Sequence, residues 1–333
     1  MPRHVDVEHR FVETNGVRLH CAIAGQGPLV LLIHGFPESW YCWRHQIAAL
    51  APYFRVVAPD LRGYNDSEKP PGVRAYSLAE VTADIAGLIE ALGERQAIVV
   101  GHDWGGAIAW TVAMERPDVV RRLAILNCPH PAIFVQHLRE NPRQMARSLY
   151  MLAFQVPWLP EFLLGLNRAW LVRRAVERSA VRRDGLTPEA LETLRTNASK
   201  PGVLRAALNY YRALLRSPEA QGSWPRWLRR FLWGERMPEG LRENPEDWPK
   251  VVAPTLVIWG EQDVALGREL TLGMEPLVAA PLQIKYLPLC GHWVQQEQPD
   301  VVNGYLLDFL ADLSPAVTAR LDDAHGEAGG LQP

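Results

Sequence analysis

Ala97-Ile98-Val99-Val100-Gly101-His102-Asp103-Trp104-Gly105-Gly106 is the stretch whose reading decides the fold. Its first four residues form a continuous apolar run, as in a strand buried on both faces. Ala107 to Met114 is apolar around nearly the whole helical circumference, which predicts a helix packed on both sides. Between them is one abrupt turn with glycine two residues either side of Asp103. Glycine is needed there because the central residue sits in a strained conformation with no room for neighbouring side chains. A strand–turn–helix of this kind usually displays a serine nucleophile; this chain displays a carboxylate.

Working outward, residues 8–15 and 17–24 alternate around Asn15-Gly16, a hairpin signal. Pro28 to Ile33 is an apolar strand that ends in His34-Gly35-Phe36-Pro37. A helix over about Trp40 to Leu50, a strand over Arg55 to Ala58 and the loop Pro59-Asp60-Leu61-Arg62-Gly63-Tyr64 follow. Ser77, with Glu80 three residues on, predicts the cap of an amphipathic helix running to about Leu92. After the central stretch comes the strand Arg122 to Leu126. A hairpin followed by alternating strands and helices implies a mostly parallel sheet covered on both faces.

The alternation stops after Asn127 and resumes at Pro254 to Trp259 and Leu282 to Leu287, followed by a helix over about Asp300 to Leu313. The segment between reads as helices broken by Pro142, Pro157, Pro160 and Gly165. The organisation is therefore a core over 1–129 and 249–313, an all-helical cap over 130–248, and a tail over 314–333 expected to fray. The cap would sit over the carboxyl edge of the sheet, where open α/β sheets bind ligands. The arginines of 173–183 read as a solvated face, and the apolar stretch 148–172 as cap interior lining a pocket. The aromatic residues around 150–172 and 224–233 suggest bulky apolar substrates.

Composition excludes several classes. Lys and Arg total 35 against 37 Asp and Glu, so no net charge draws the chain to nucleic acid. No apolar run reaches the ~18 residues that stable membrane insertion needs. The four cysteines, Cys21, Cys42, Cys128 and Cys290, are scattered and read as reduced buried thiols. With no signal-peptide pattern, the expected location is cytoplasmic. No metal or other cofactor is expected, and the oligomer is expected to be a monomer or homodimer.

Three loop residues follow separate strands. Asp103 is the candidate nucleophile, Asp263 follows Trp259, and His292 follows the last strand in Gly291-His292-Trp293. Nucleophile, acid, then histidine is the chain order of the α/β-hydrolase triad. An aspartate, with a reference pKa of about 3.9, is ionised at neutral pH and needs no base before attacking sp³ carbon. It forms an alkyl ester, and the histidine, oriented by Asp263, activates a water to hydrolyse it. The oxyanion of that second step would be held by the backbone N–H groups of Phe36 and Trp104. Direct attack on carbon leaves epoxides and alkyl halides as substrates.

The segments His34 to Gln46, Asp60 to Tyr64, Gly101 to Gly106 and Gly291 to Pro299 together resemble the soluble epoxide hydrolases of the α/β-hydrolase superfamily, over roughly residues 8–312. That resemblance implies an eight-stranded, mostly parallel sheet with an antiparallel N-terminal strand, a small apolar epoxide as substrate and water as co-substrate. It also implies two cap tyrosines as acids towards the epoxide oxygen. Tyr150, with Phe154-Gln155, matches the first pattern, and Tyr211, in Asn209-Tyr210-Tyr211-Arg212, matches the second, with Tyr210 as the alternative. Phe36, Trp104, Phe154 and Trp293 are the expected substrate contacts. A cis bond before Pro37 is also implied.

Two other readings stay open. A haloalkane dehalogenase would use the same triad and Trp104, although such enzymes commonly carry asparagine where this chain has Phe36. A hydrolase that has lost activity and serves as a ligand-binding protein would be favoured by a missing triad residue, and none is missing. One departure from the family pattern is Asn65, where glycine is usual; asparagine is the next residue to tolerate φ > 0.

Overall fold

A computed structural model describes residues 5–216 and 247–318. The strands are β1 (Glu8–Thr14), β2 (Val17–Ala24), β3 (Leu29–Ile33), β4 (Arg55–Pro59), β5 (Ala97–His102), β6 (Val120–Leu126), β7 (Thr255–Gly260) and β8 (Leu282–Leu287). They form one sheet in the order β1-β2-β4-β3-β5-β6-β7-β8. β2 is antiparallel to both β1 and β4, and all other pairs are parallel. The antiparallel pairs are thus confined to the hairpin edge.

The order places the site. From β3 the chain crosses by helix α1 (Arg44–Leu50) to β4 on one side, then by α2 (Leu78–Ala91) back past β3 to β5. Right-handed crossovers in opposite directions put their helices on opposite faces. Alternate residues of β3 accordingly enter two cores: Leu31 and Ile33 pack with α2 residues such as Ile85, and Val30 and Leu32 with Ile47 and Leu50 of α1. The direction reverses between the adjacent strands β3 and β5, and a crevice opens at such a switch point. The loops at 34–37 and 102–104 both end there.

Helix α3 (Trp104–Glu115) is buried on almost every side, as its all-round apolar sequence predicts. The expected Ser77 cap also forms, its hydroxyl accepting from the Glu80 N–H. The predicted Trp40–Leu50 helix divides into a 3-10 turn over Trp40–Trp43 and α1. All four cysteines are free and buried. Asn65 has φ 40°, and its side chain accepts from Lys200 Nζ at 2.6 Å, tying the core loop to the insertion.

Between β6 and β7 every described element is helical: α4 (Pro131–Glu140), α5 (Pro142–Arg147), α6 (Tyr150–Ala153), α7 (Leu159–Ser179), α8 (Pro188–Ala198) and α9 (Val203–Leu215). The 173–183 arginines do form a largely solvated face. The aromatic residues at 224–233 lie outside the described residues. No helix of the described residues is long and apolar enough to cross a membrane.

Two expectations need correction. The 148–172 stretch does not stay inside the cap, since Trp158 is 82% and Phe162 65% exposed. The inward positions on that turn belong to Pro160 and the partly buried Glu161, which pairs with Arg212, and α7 packs further on through Val172 and Val176. The tail does not begin to fray at Ser314 either, because Val317 is fully buried beside Leu306 and Leu310. Burying one such side chain contributes about 1.5–3 kcal/mol, enough to hold a helical turn that sequence polarity alone does not reveal.

Candidate active site

Asp103 sits at φ 52°, ψ −121°, off the regular helical and strand regions. The elbow tolerates no side chain at its flanks. A Cβ on Gly105 would lie 2.0 Å from the Ile33 carbonyl oxygen, and one on Gly101 would lie 2.2 Å from that of Gly105. The strain is held because β5 and α3 are both locked in the core, leaving the carboxylate at the crevice.

The Phe36 N–H donates to Asp103 Oδ1 at 2.7 Å, and the Phe36–Pro37 bond is cis, as expected. Asp103 Oδ2 faces His292 Nε2 at 3.6 Å. On the other side of the ring, His292 Nδ1 is 2.6 Å from Asp263 Oδ2. Asp263 is itself fixed, its Oδ1 accepting from Ala265 and Leu266 N–H and its Oδ2 from Asn127 Nδ2 at 2.8 Å. Asn127, at φ 41°, also accepts from the Gly260 N–H, so the acid loop is pinned to the end of β6.

Electrostatics follow from this sandwich. Burial alone would lower the His292 pKa, but the charges and hydrogen bonds of Asp263 and Asp103 outweigh it and hold the imidazole well above its usual value. Burial opposes ionisation of both carboxyls, yet His292 and neighbouring N–H donors keep each below the usual aspartate value. All three shifts run in the direction that favours an imidazolium between two carboxylates.

A cavity of about 730 Å³ opens over Asp103, with Trp104, Tyr150, Tyr211 and Leu266 in its wall. The two tyrosine rings are edge to face at 5.7 Å, and Tyr211 also packs against Trp104 and Phe36 at 5.1 and 5.4 Å. Burial, and after it the nearby charge of Asp103, pushes the Tyr150 phenol up. Tyr211 is pushed well up by burial, Tyr150 and Asp103. Both therefore stay protonated at neutral pH and available as donors.

Helical geometry sends Tyr210 and Tyr211 to different sides. Neighbours on a helix diverge by about 100°, and α9 is buried on both sides. Tyr211 points into the cavity, whereas the Tyr210 hydroxyl donates to the Arg62 carbonyl at 2.9 Å in the core.

The other motif residues hold the pair together. Arg212 clasps Glu161 with both amino groups and donates to the Phe154 and Val156 carbonyls, while Gln155 donates to the Tyr211 carbonyl at 3.2 Å. Phe154 packs against Tyr150 and Tyr211, and Phe36 edges the same cluster. Of the four expected substrate contacts, Trp104 is in the cavity wall, Phe36 and Phe154 pack against the tyrosine rings beside it, and Trp293 turns elsewhere. Its Nε1 donates to Ser179 Oγ at 2.9 Å, and the ring packs with Val172, Val176 and Leu194 of the insertion. Sequence reasoning missed Asn127, Glu161 and Glu38, which is buried and accepts from Gln296 at 2.6 Å beside His102. Only the polar character of these residues next to apolar runs could have marked them.

Comparison with known proteins identifies the family of this chain. Residues 28–299 match the family model described as alpha/beta hydrolase fold. Mouse epoxide hydrolase 4 is 34% identical over 90% of this chain and 78% of its own. An AB hydrolase superfamily protein of Bacillus subtilis is 37% identical over 91% and 98%. The crystal structure of Bacillus megaterium epoxide hydrolase in complex with an inhibitor has a TM-score of 0.78 at 32% identity, covering 91% of this chain and all of that one. The chain is thus an enzyme of the α/β-hydrolase superfamily. Within that superfamily it belongs to the epoxide hydrolase family.

Proposed function

We propose that the chain opens epoxides to vicinal diols through an ester on Asp103. The observation that carries this is the division of labour on one carboxylate: Oδ1 is held by the Phe36 N–H and Oδ2 is turned to His292. Oδ2 bonds to a ring carbon as the carbon–oxygen bond of the epoxide breaks. The released electron pair stays on oxygen, which takes a proton from Tyr150 or Tyr211. Esterification removes one of the two charges that hold the His292 pKa up. The imidazolium then gives its proton back towards the tyrosinate and becomes the base for step two. Water passes a proton to Nε2 and its oxygen attacks the ester carbon. Negative charge forms on Oδ1 between the Phe36 and Trp104 N–H groups. Collapse expels the diol, which takes up the second proton of that water, and leaves Asp103 ionised beside the imidazolium.

A single turnover in water enriched in heavy oxygen tests the covalent step. The diol is expected to carry ordinary oxygen, with the label on Asp103 in the digested protein; label going straight into the diol rejects the ester. Tyr150→Phe and Tyr211→Phe are each expected to slow single-turnover alkylation by about a hundredfold. Tyr210→Phe leaves that rate unchanged and instead removes about 1 kcal/mol of stability, read by urea unfolding, because only the Arg62 contact is lost.

A further inference from the structure

Glu297 lies on the short helix Val294–Glu297 that follows the catalytic histidine, and it is 2% exposed. Its Oε1 accepts from the Trp293 N–H at 3.1 Å, and its Oε2 from the Gly291 N–H at 3.1 Å. These are the two residues flanking His292. The same Oε2 accepts from the Val181 and Arg182 N–H groups at 2.9 and 2.8 Å. Those residues lie just beyond α7, more than a hundred positions away. All four partners are donors, so the cradle fits a carboxylate and would set an amide nitrogen against N–H groups.

The fit around it is close. A Cβ on Gly291 would meet Glu297 Oε1 at 2.8 Å and the Ser179 carbonyl at 3.1 Å, and one on Gly185 would meet the Gln296 carbonyl at 2.1 Å. Arg44 reinforces the seam, donating to Gln296 Oε1 at 2.6 Å and the Gly185 carbonyl at 3.3 Å. The histidine loop and the end of α7 therefore share one buried anion.

We infer that Glu297 is a positioning residue that fixes the His292 loop and couples it to the helical insertion that carries Tyr150 and Tyr211. The inference rests on His292 acting as the base for ester hydrolysis. Its consequence is selective. Attack by Asp103 does not require His292 to be precisely aimed, whereas delivery of water to the ester does.

Glu297→Gln keeps the shape and reverses one set of polar contacts; Glu297→Asp keeps the charge on a stem one methylene shorter. With styrene oxide in single turnover, Glu297→Gln is expected to slow ester hydrolysis by about tenfold or more, the scale of losing charged hydrogen bonds. Alkylation is expected to change by less than about threefold, so alkyl-enzyme accumulates, and Glu297→Asp restores part of the hydrolysis rate. Amide hydrogen exchange of Glu297→Gln, or of Glu297→Asp if the amide variant does not fold, is expected to lose protection at 291–293 and at 181–182 together. Equal loss of both half-reactions, or exchange confined to one of the two segments, overturns the inference. If the unaltered protein forms no ester, the exchange result still stands on its own, and the failure belongs to the reaction assigned to Asp103.

Discussion

Replacing Asp103 with alanine is expected to lower diol formation by about four orders of magnitude or more, the scale seen when a covalent nucleophile is removed. The protein should still fold, because the side chain makes its polar contacts with the crevice and the elbow is held by Gly101, Gly105 and the packing of α3. Diol production by purified Asp103→Ala at an undiminished rate would contradict the assignment. Asp103→Asn adds an electrostatic reading. His292 owes its raised pKa to two carboxylates. Neutralising one should move the imidazole pKa down, as ester formation would, and histidine NMR titration of the two proteins measures the difference. The sign for stability follows. A histidine pKa raised by folding contributes stability that is full below the unfolded value of about 6.5 and fades as pH rises through the folded value. The lowered Asp103 and Asp263 pKa values act in the opposite window, contributing above about 3.9 and fading as acid protonates them.

His292→Gln is expected to separate the two half-reactions. Alkylation needs only the Asp103 carboxylate and a phenol donor, so the variant should react once with styrene oxide. It should then stop, with hydrolysis slowed about a thousandfold for want of a general base. Intact-protein mass spectrometry should show a gain equal to one substrate, located on Asp103 after digestion. A variant that turns over without an adduct would assign water activation to another group. An adduct with a haloalkane but none with an epoxide would transfer the site to the halide reading.

Much of this was legible because the signals are local. An apolar run before Asp103, a turn residue after β7 and a histidine after β8 mark three strand ends, and parallel strands bring their carboxyl ends to one edge. The structure duly places Asp103, Asp263 and His292 in contact. The Tyr-x-x-x-Phe-Gln and Asn-x-Tyr-Arg patterns were visible as strings. Their logic was not, since it lies in Arg212 and Gln155 bridging α9 to the 154–161 segment.

By itself the sequence determined the strand and helix succession, the elbow and the carboxylate at its tip, because periodicity and glycine spacing act between residues a few positions apart. Only the tertiary structure decided which of two adjacent tyrosines enters the cavity. It also turned Trp293 towards the insertion, left Trp158 and Phe162 in solvent, and set Glu297 between the histidine loop and the end of α7. Each of these is a choice of side for a side chain flanked by alternatives. The choice is made by what packs against it from elements distant in the chain, where one buried hydrogen bond or one apolar contact outweighs local preference.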